Sequence, residues 1–240
     1  MQSRNFRLQK VGDINWLERN YKFQKISFSL DEIVVLNATK EKKNLVDFSK
    51  IVKKVVDNVF IPVAAGGGIR SLDDADTLFK NGADKIILNS ALHETPSLIG
   101  EIAEKYGSQS VIANIDYKII NGNPIVITND GSTVTGIHLK EYVQRILLNP
   151  VGEILLNSID KDGTGFGYDI ETINSVALNI DVPLVLIGGA GNEMHLHQAL
   201  QIKNISAVAT GNLFNFIGNA LPNARKYLLD QGCNLSRWDN

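Results

Sequence analysis

Seven short apolar runs rich in β-branched residues recur along the chain, separated by longer amphipathic stretches. Several runs lack the strict apolar–polar alternation of a half-solvated strand, which is typical of parallel strands covered on both faces. The runs predict strands at Glu32–Asn37, Phe60–Ala65, Lys85–Asn89, Ser110–Asp116, Glu153–Ser158, Val182–Ile187 and Ser206–Gly211. Strands that alternate with helices predict an α/β fold with a parallel sheet.

Local signals predict where helices and turns begin. A small hairpin is expected around residues 121–123, after the fourth predicted strand, and His195 and His197 are expected on a solvated helical face. Residues suited to helix N-termini are Ser71 with Asp74, Thr95 with Pro96, and Asp169 ahead of a helix over residues 170–179.

An internal repeat relates the two halves of the chain. Residues 60–68 resemble 181–189, and residues 36–39 resemble 156–159, at offsets of 121 and 120 positions. Duplicated halves are the favoured explanation, and chance similarity of short apolar strings is the alternative. The strand at Ser110–Asp116 opens the second half, so its partner is expected before Met1. The sequence therefore predicts one barrel domain over residues 1–240, N-terminally short, with the first strand absent.

Composition narrows the class of protein. The 240 residues carry 24 basic and 26 acidic side chains, a net charge of −2 that does not suggest nucleic-acid binding. No segment has the roughly 18 consecutive apolar residues that cross a membrane, and the N-terminus lacks the apolar core of a signal peptide. Cys233 is the single cysteine. A cytoplasmic protein is expected.

Two glycine-rich loops are candidate phosphate sites. Gly66–Gly68 and Gly188–Gly191 each follow a predicted strand and precede a helix, where backbone N–H groups can approach an anion. Residues 89–90 and 210–212 stand at the corresponding ends of two other strands. Two equivalent loops favour a ligand with two phosphate groups, and simple tight turns are the alternative.

Candidate acid–base chemistry centres on Asp116, which ends a predicted strand where barrels carry catalytic groups. A loop-capping carboxylate is the alternative. The polar, glycine-rich segment 157–165 predicts a mobile substrate loop. Glu32, Lys85 and Glu153 each begin a strand and should surround the opposite mouth of the barrel. The histidine spacing predicts no metal site.

Longer motifs resemble the HisF cyclase subunit of imidazole glycerol phosphate synthase. They are VAAGGGIRSLDDADTLFKNGADKIILNSAL, ANIDYK, GEILLNSIDKDGTGFGYD and VLIGGAGNEMHLHQAL, and the similarity covers nearly the whole chain. The resemblance implies a duplicated (β/α)8 TIM barrel without a cofactor. It also implies a HisH-like glutaminase at the N-terminal barrel face, which supplies ammonia for a bis-phosphorylated aminoimidazole carboxamide ribonucleotide. The implied products are imidazole glycerol phosphate and the carboxamide ribonucleotide.

The same resemblance assigns roles to individual residues. Asp116 matches one of two catalytic aspartates, and the other lies on the absent first strand. Asn37 stands where the family usually has an aspartate. The implied ammonia gate is Glu32, Lys85 and Glu153. The implied substrate and phosphate contacts are Asn37, Gly67, Gly68, Asn89, Ser90, Ser158, Asp162, Gly163, Thr164, Gly188, Gly189, Gly211 and Asn212.

The incomplete aspartate pair keeps more than one function open. Within the family, the chain more closely resembles divergent HisF-like proteins associated with surface-polysaccharide genes and sugar amidination. The first hypothesis is a HisF-type carbon–nitrogen lyase, and the second is a subunit that conducts ammonia for amidination of a sugar without cyclising a substrate. A phosphosugar isomerase is the third, and the hairpin and the DGTGFGYD motif argue against it.

Overall fold

Parallel strand pairing organises the chain, as seen in a computed structural model that describes residues 2–4, 6–9, 12–39, 43–177, 180–211 and 219–237. The strands are β1 (Gln2–Arg4), β2 (Arg7–Gln9), β3 (Ile33–Leu36), β4 (Val63–Gly66), β5 (Lys85–Leu88), β6 (Val111–Ile120), β7 (Asn123–Thr128), β8 (Thr133–His138), β9 (Glu153–Ser158), β10 (Leu184–Ile187) and β11 (Ile205–Val208). The α-helices are α1 (Ile14–Tyr21), α2 (Phe23–Ile26), α3 (Leu45–Val56), α4 (Leu72–Lys80), α5 (Ser90–Glu94), α6 (Ser97–Tyr106), α7 (Leu139–Ile146), α8 (Ile170–Val176), α9 (Glu193–Leu200) and α10 (Ala220–Asp230).

All seven predicted strands are confirmed, in the parallel order β3-β4-β5-β6-β9-β10-β11. The sheet curls with helices outside it, which confirms the predicted TIM-barrel class. Within the described residues, β3 pairs only with β4 and β11 only with β10, so the sheet is not closed by hydrogen bonds between its two ends. β1 and β2 form a separate antiparallel pair.

Apolar side chains cover both faces of the sheet. The large core lies between the sheet and the helices, where Leu78, Ile99 and Ile154 are fully buried. A smaller cluster lies on the inner face and contains Ala64, Ile87, Ile112, Leu155 and Val185. No helix in the described ranges has the length and apolar character needed to cross a bilayer.

The predicted hairpin is present and continues into a third strand. Asn121 and Gly122 have φ of 49° and 77°, as a two-residue type I′ turn requires, and they join β6 to β7. The strand β8 then pairs with β7 and was not predicted. Its β-branched residues around Val134 were the available signal.

The helix-capping predictions had mixed outcomes. Ser71 and Asp74 form a reciprocal capping box at α4, and Asp169 caps α8 through the backbone N–H of Thr172. The prediction that Thr95 caps the following helix was wrong: Thr95 ends α5, and Pro96 precedes α6 without a side-chain cap. The predicted end of α8 at residue 179 lies outside the described residues.

A buried arginine links the two ends of the sheet. Arg225 on α10 donates to both carboxylate oxygens of Asp31, just before β3, at 2.9 and 3.0 Å. It also donates to the carbonyl oxygens of Ser29 and Ser236. The arginine side chain is only 9% exposed whereas that of Asp31 is 55% exposed. This cluster therefore fastens the last helix to the segment that leads into the first barrel strand.

We expect Arg225→Ala to lower the free energy of unfolding by roughly 2 kcal/mol, because the buried guanidinium group is lost together with its hydrogen bonds to Asp31 and to two backbone carbonyl groups. Urea unfolding of both proteins measures the difference. Arg145→Ala removes a solvent-exposed ion pair with Glu141 and should cost less than about 0.5 kcal/mol. Equal losses in the two variants would contradict a structural role for Arg225.

Candidate functional site

A buried carboxyl group lies at the C-terminal end of the barrel strands. Asp116 on β6 is only 7% exposed. Its Oδ1 accepts hydrogen bonds from Nδ2 of Asn157 at 2.9 Å and of Asn114 at 3.5 Å. Its Oδ2 accepts one from Nδ2 of Asn89 at 3.0 Å. Three asparagines from β6, β9 and the end of β5 thus surround one aspartate.

Burial sets the ionisation of this group. Desolvation raises the pKa of Asp116 to about 6, although the hydrogen bonds from the three asparagines lower it, and the nearby charge of Asp162 raises it further. A carboxyl group with a pKa of about 6 is mainly ionised at neutral pH yet can take a proton easily. It is therefore suited to general acid–base chemistry.

Glycine is required in both loops that follow β4 and β10. Gly67 has φ of +101°, and a Cβ there would overlap the backbone oxygen of Asn37. Gly188 has φ of +90°, and a Cβ there would lie 2.5 Å from Oδ1 of Asn157. Gly68, also at positive φ, lies against the side chain of Lys43. The two loops therefore need glycine for their backbone conformation and for close packing.

The segment after β9 folds over the loop after β10. The backbone N–H of Gly167 donates to the carbonyl of Gly189 at 2.8 Å, and a Cβ on Gly189 would overlap the Gly167 carbonyl. Ser158 is 3% exposed, and its carbonyl accepts from the N–H of Asp162. Gly163 has φ of 72°, and Thr164 donates from Oγ1 to the Lys161 carbonyl. The predicted substrate loop is thus held against a predicted phosphate loop.

Other side chains that were predicted to contact the substrate already form hydrogen bonds within the protein. Nδ2 of Asn89 also donates to the Asn114 carbonyl, so both of its hydrogens are used within the site. The hydroxyl of Ser90 accepts from the N–H of Asn129. Oδ1 of Asn37 accepts from the N–H of Thr39. Gly211 is exposed, and Asn212 lies outside the described residues.

An open cleft of about 510 Å³ lies beside the hairpin, at the end of β6 beyond Asp116. Lys118 and Ile120 lie on the same side of β6 as Asp116, because side chains two residues apart share a face. The cleft is lined by Phe6, Arg7, Lys118, Ile120, Ile127, Gly131, Val134, Ile159 and Asp160. It combines apolar side chains with two cationic side chains and one carboxylate, that of Asp160.

Three charged residues meet at the opposite, N-terminal mouth. Nζ of Lys85 lies 2.6 Å from a carboxylate oxygen of Glu32 and 2.8 Å from one of Glu153. Burial, together with the charges of Glu153 and Asp84, raises the pKa of Glu32 overall, although Lys85 lowers it. Burial lowers the pKa of Lys85, but the hydrogen bonds and charges of both glutamates together raise it overall. The sequence-based assignment of these residues to one mouth agrees with their positions.

The sequence did not identify Asn114 or His195 as part of this region, and it included Asn157 only as the start of the predicted substrate loop, without a role toward Asp116. Asn157 occupies the repeat position of Asn37, which was an available signal, and Asn114 shares a strand face with Asp116. His195 was expected on a solvated helical face, and this was wrong. Its Nδ1 accepts from the N–H of Gly191 at 3.1 Å, and its ring lies beside Gly167.

Several known proteins with HisF names are similar to this chain. Residues 7–219 match the family described as histidine biosynthesis protein. A protein of Parasynechococcus marenigrum, provisionally named imidazole glycerol phosphate synthase subunit hisF2, is 38% identical over 237 residues, which cover 98% of this chain and 88% of that protein. Imidazole glycerol phosphate synthase subunit HisF of Pyrobaculum aerophilum is 37% identical over 225 residues, which cover 94% and 87%. HisF of Chlorobium phaeobacteroides is 38% identical over 202 residues, which cover 84% and 80%.

The buried carboxyl group gives a signature in the pH dependence of stability. The pKa of Asp116 is raised from 3.8 to about 6, so the folded protein favours the protonated carboxyl group. The stability that this preference gives is therefore complete below pH 3.8, the pKa in the unfolded chain, and is lost as the pH rises through about 6. Between about pH 4 and 7 the free energy of unfolding of the wild-type protein should fall by about 3 kcal/mol because of this group, and Asp116→Asn should not show that fall. Urea unfolding of both proteins across that range measures it. Asp47→Asn, on an exposed helix face, is the control, and parallel pH curves for wild type and Asp116→Asn would contradict the assignment.

Proposed function

Because this chain belongs to the histidine biosynthesis protein family and is HisF-like, we propose that it is a cyclase subunit of an imidazole glycerol phosphate synthase. In this proposal it is a carbon–nitrogen lyase that joins ammonia to a bis-phosphorylated aminoimidazole carboxamide ribonucleotide. The products are imidazole glycerol phosphate, the carboxamide ribonucleotide and one molecule of water. The observation that carries the proposal is a buried Asp116 between two glycine loops at one barrel mouth.

Each part of the barrel mouth that contains Asp116 has a role in this proposal. Asp116 serves as general acid or base because its raised pKa lets it exchange a proton near neutral pH. The loops with Gly67 and Gly188 can bring backbone N–H groups close to the two phosphates. The segment with Asp162 to Thr164 covers the second loop and contributes to the enclosure of the substrate.

The opposite mouth supports the proposal of a HisH-like glutaminase partner at the N-terminal barrel face. Phe28 and Phe60 are 44% and 51% exposed, and their ring centroids are 4.7 Å apart. They precede β3 and β4, at the end of the barrel where Lys85 meets Glu32 and Glu153. Exposed aromatic residues are enriched in protein interfaces, and the charged group behind them is the proposed ammonia gate.

Compartment and domain organisation follow from the same proposal. We place the protein in the cytoplasm, as suits a biosynthetic enzyme with a single cysteine. We treat residues 1–240 as one barrel domain, which the single parallel sheet supports.

A second candidate function is ammonia conduction for the amidination of a sugar. The side chain of Asn37, which stands where the resemblance implies an aspartate, is used to accept a hydrogen bond within its own loop. A carboxamide at this position cannot act as a proton acceptor. The observation favours a subunit that transmits ammonia while another enzyme completes the chemistry.

Turnover distinguishes the two candidates. Purified protein supplied with the ribonucleotide and an ammonium salt should form imidazole glycerol phosphate, and Asp116→Asn should reduce the rate by about 100-fold or more. Glu141→Gln, on an exposed helix face, serves as the control. No turnover by the folded wild-type protein would contradict the cyclase and favour conduction.

The partner face is tested by calorimetric titration with the HisH-type glutaminase of the same genome. We expect Phe60→Asp to weaken binding by about 10-fold or more, because a charge replaces an apolar contact at the interface. Phe166→Asp is the matched control, since Phe166 is 85% exposed on a loop at the other barrel mouth. Equal affinity of Phe60→Asp and wild type would contradict docking at this face.

A further inference from the structure

All three side chains that donate to Asp116 are carboxamides. Two of them, Asn157 and Asn114, donate to Oδ1, whereas Asn89 alone donates to Oδ2. A carboxylate offers about four lone-pair sites, two on each oxygen. Among the described contacts, Oδ1 therefore has its full set of donors, and Oδ2 retains one acceptor site.

We propose that Asn157 and Asn114 are positioning residues for Asp116, which occupy Oδ1 and leave Oδ2 as the oxygen that exchanges a proton with the substrate. Carboxamides do not titrate in the working pH range, so none of the three neighbours can take the proton from Asp116. The exchange is therefore directed to the substrate. This inference rests on the proposed role of Asp116 as general acid or base.

Contacts of both the nitrogen and the oxygen of its side-chain amide fix the orientation of Asn157. Its Nδ2 faces Asp116, and its Oδ1 is buried against Gly188 without a hydrogen-bond partner in the part of the chain that the structure describes. Rotation of the amide would place its oxygen against the carboxylate, so two acceptors would meet. Gly188 leaves room for the amide oxygen, which connects a predicted phosphate loop directly to the orientation of Asp116.

The charge of Asp162 opposes these donors. Asp162, beyond the end of β9, raises the pKa of Asp116, and Lys118 follows two positions along the same strand face. Lys85 and Glu153 lie at the other mouth, beyond the apolar side chains of the inner face. The hydrogen bonds of the asparagines lower the pKa of Asp116, that of Asn157 most.

The test follows the carboxyl carbon of Asp116 by NMR during a pH titration of the full chain, with Asp116→Asn used to identify the signal. Asn157→Leu removes the donor at similar side-chain size, and the midpoint should rise by about one unit. Asn157→Thr keeps a hydroxyl donor and should restore part of the shift. Asn123→Leu, at an exposed position of β7, should leave the midpoint unchanged.

An unchanged midpoint in folded Asn157→Leu overturns the proposal. If that variant does not fold, Asn114→Ala replaces it. Its bond is longer, so a smaller rise is expected, and an unchanged midpoint there is equally decisive against the proposal.

Kinetics separate this inference from the proposed function. In the cyclisation assay, Asn157→Leu should lower kcat by about tenfold or more with little change in KM. In a plot of kcat against pH, the limb controlled by Asp116 should move by the same amount as the NMR midpoint. A shifted midpoint in a protein whose wild type does not turn over contradicts the cyclase but not the role of the asparagines. Normal turnover with an unshifted midpoint contradicts the positioning role.

Discussion

Side chains two residues apart on a β-strand point to the same side, and this alternation arranges the whole interior of the barrel. On β5 it places Lys85 at one mouth and Ile87 in the middle, and it directs Asn89 toward the other mouth. On β9 it does the same with Glu153, Leu155 and Asn157. The charged cluster of Lys85 with two glutamates, the apolar layer and the asparagines around Asp116 are therefore successive levels of one inner face. If the pairing register of one of these strands shifted by one residue, its side chains at all three levels would point away from the barrel interior.

The sequence was sufficient for the parts that depend on local pattern. Apolar runs predicted all seven parallel strands, and the capping box at Ser71 and the turn at Asn121 followed from residue preferences. Positions at strand ends also predicted that Asp116 and Lys85 lie at opposite mouths. In each case the decisive interaction lies within a few residues of the chain, or follows directly from strand direction.

Long-range pairing was not predictable in the same way. The contact of Arg225 with Asp31 joins residues almost 200 positions apart, and no local pattern distinguishes this arginine from a solvated one. Asn89 and Asn157 come from strands other than that of Asp116, so their common target appears only when the sheet is assembled. His195 was misassigned because its helical spacing resembles that of a surface residue, whereas its partner is the glycine loop beside it.

The apolar layer on the inner face has a consequence for what can travel along the barrel axis. Ala64, Ile87, Ile112, Leu155 and Val185 offer no polar atoms from their side chains, and the strand levels at Lys85 and Asn89 are about 13 Å apart. An ion that entered this layer would lose its water without gaining a charged partner, which is strongly unfavourable. The layer thus acts as an electrical insulator between the two mouths. An uncharged molecule that entered the layer would avoid the large desolvation cost that an ion meets there.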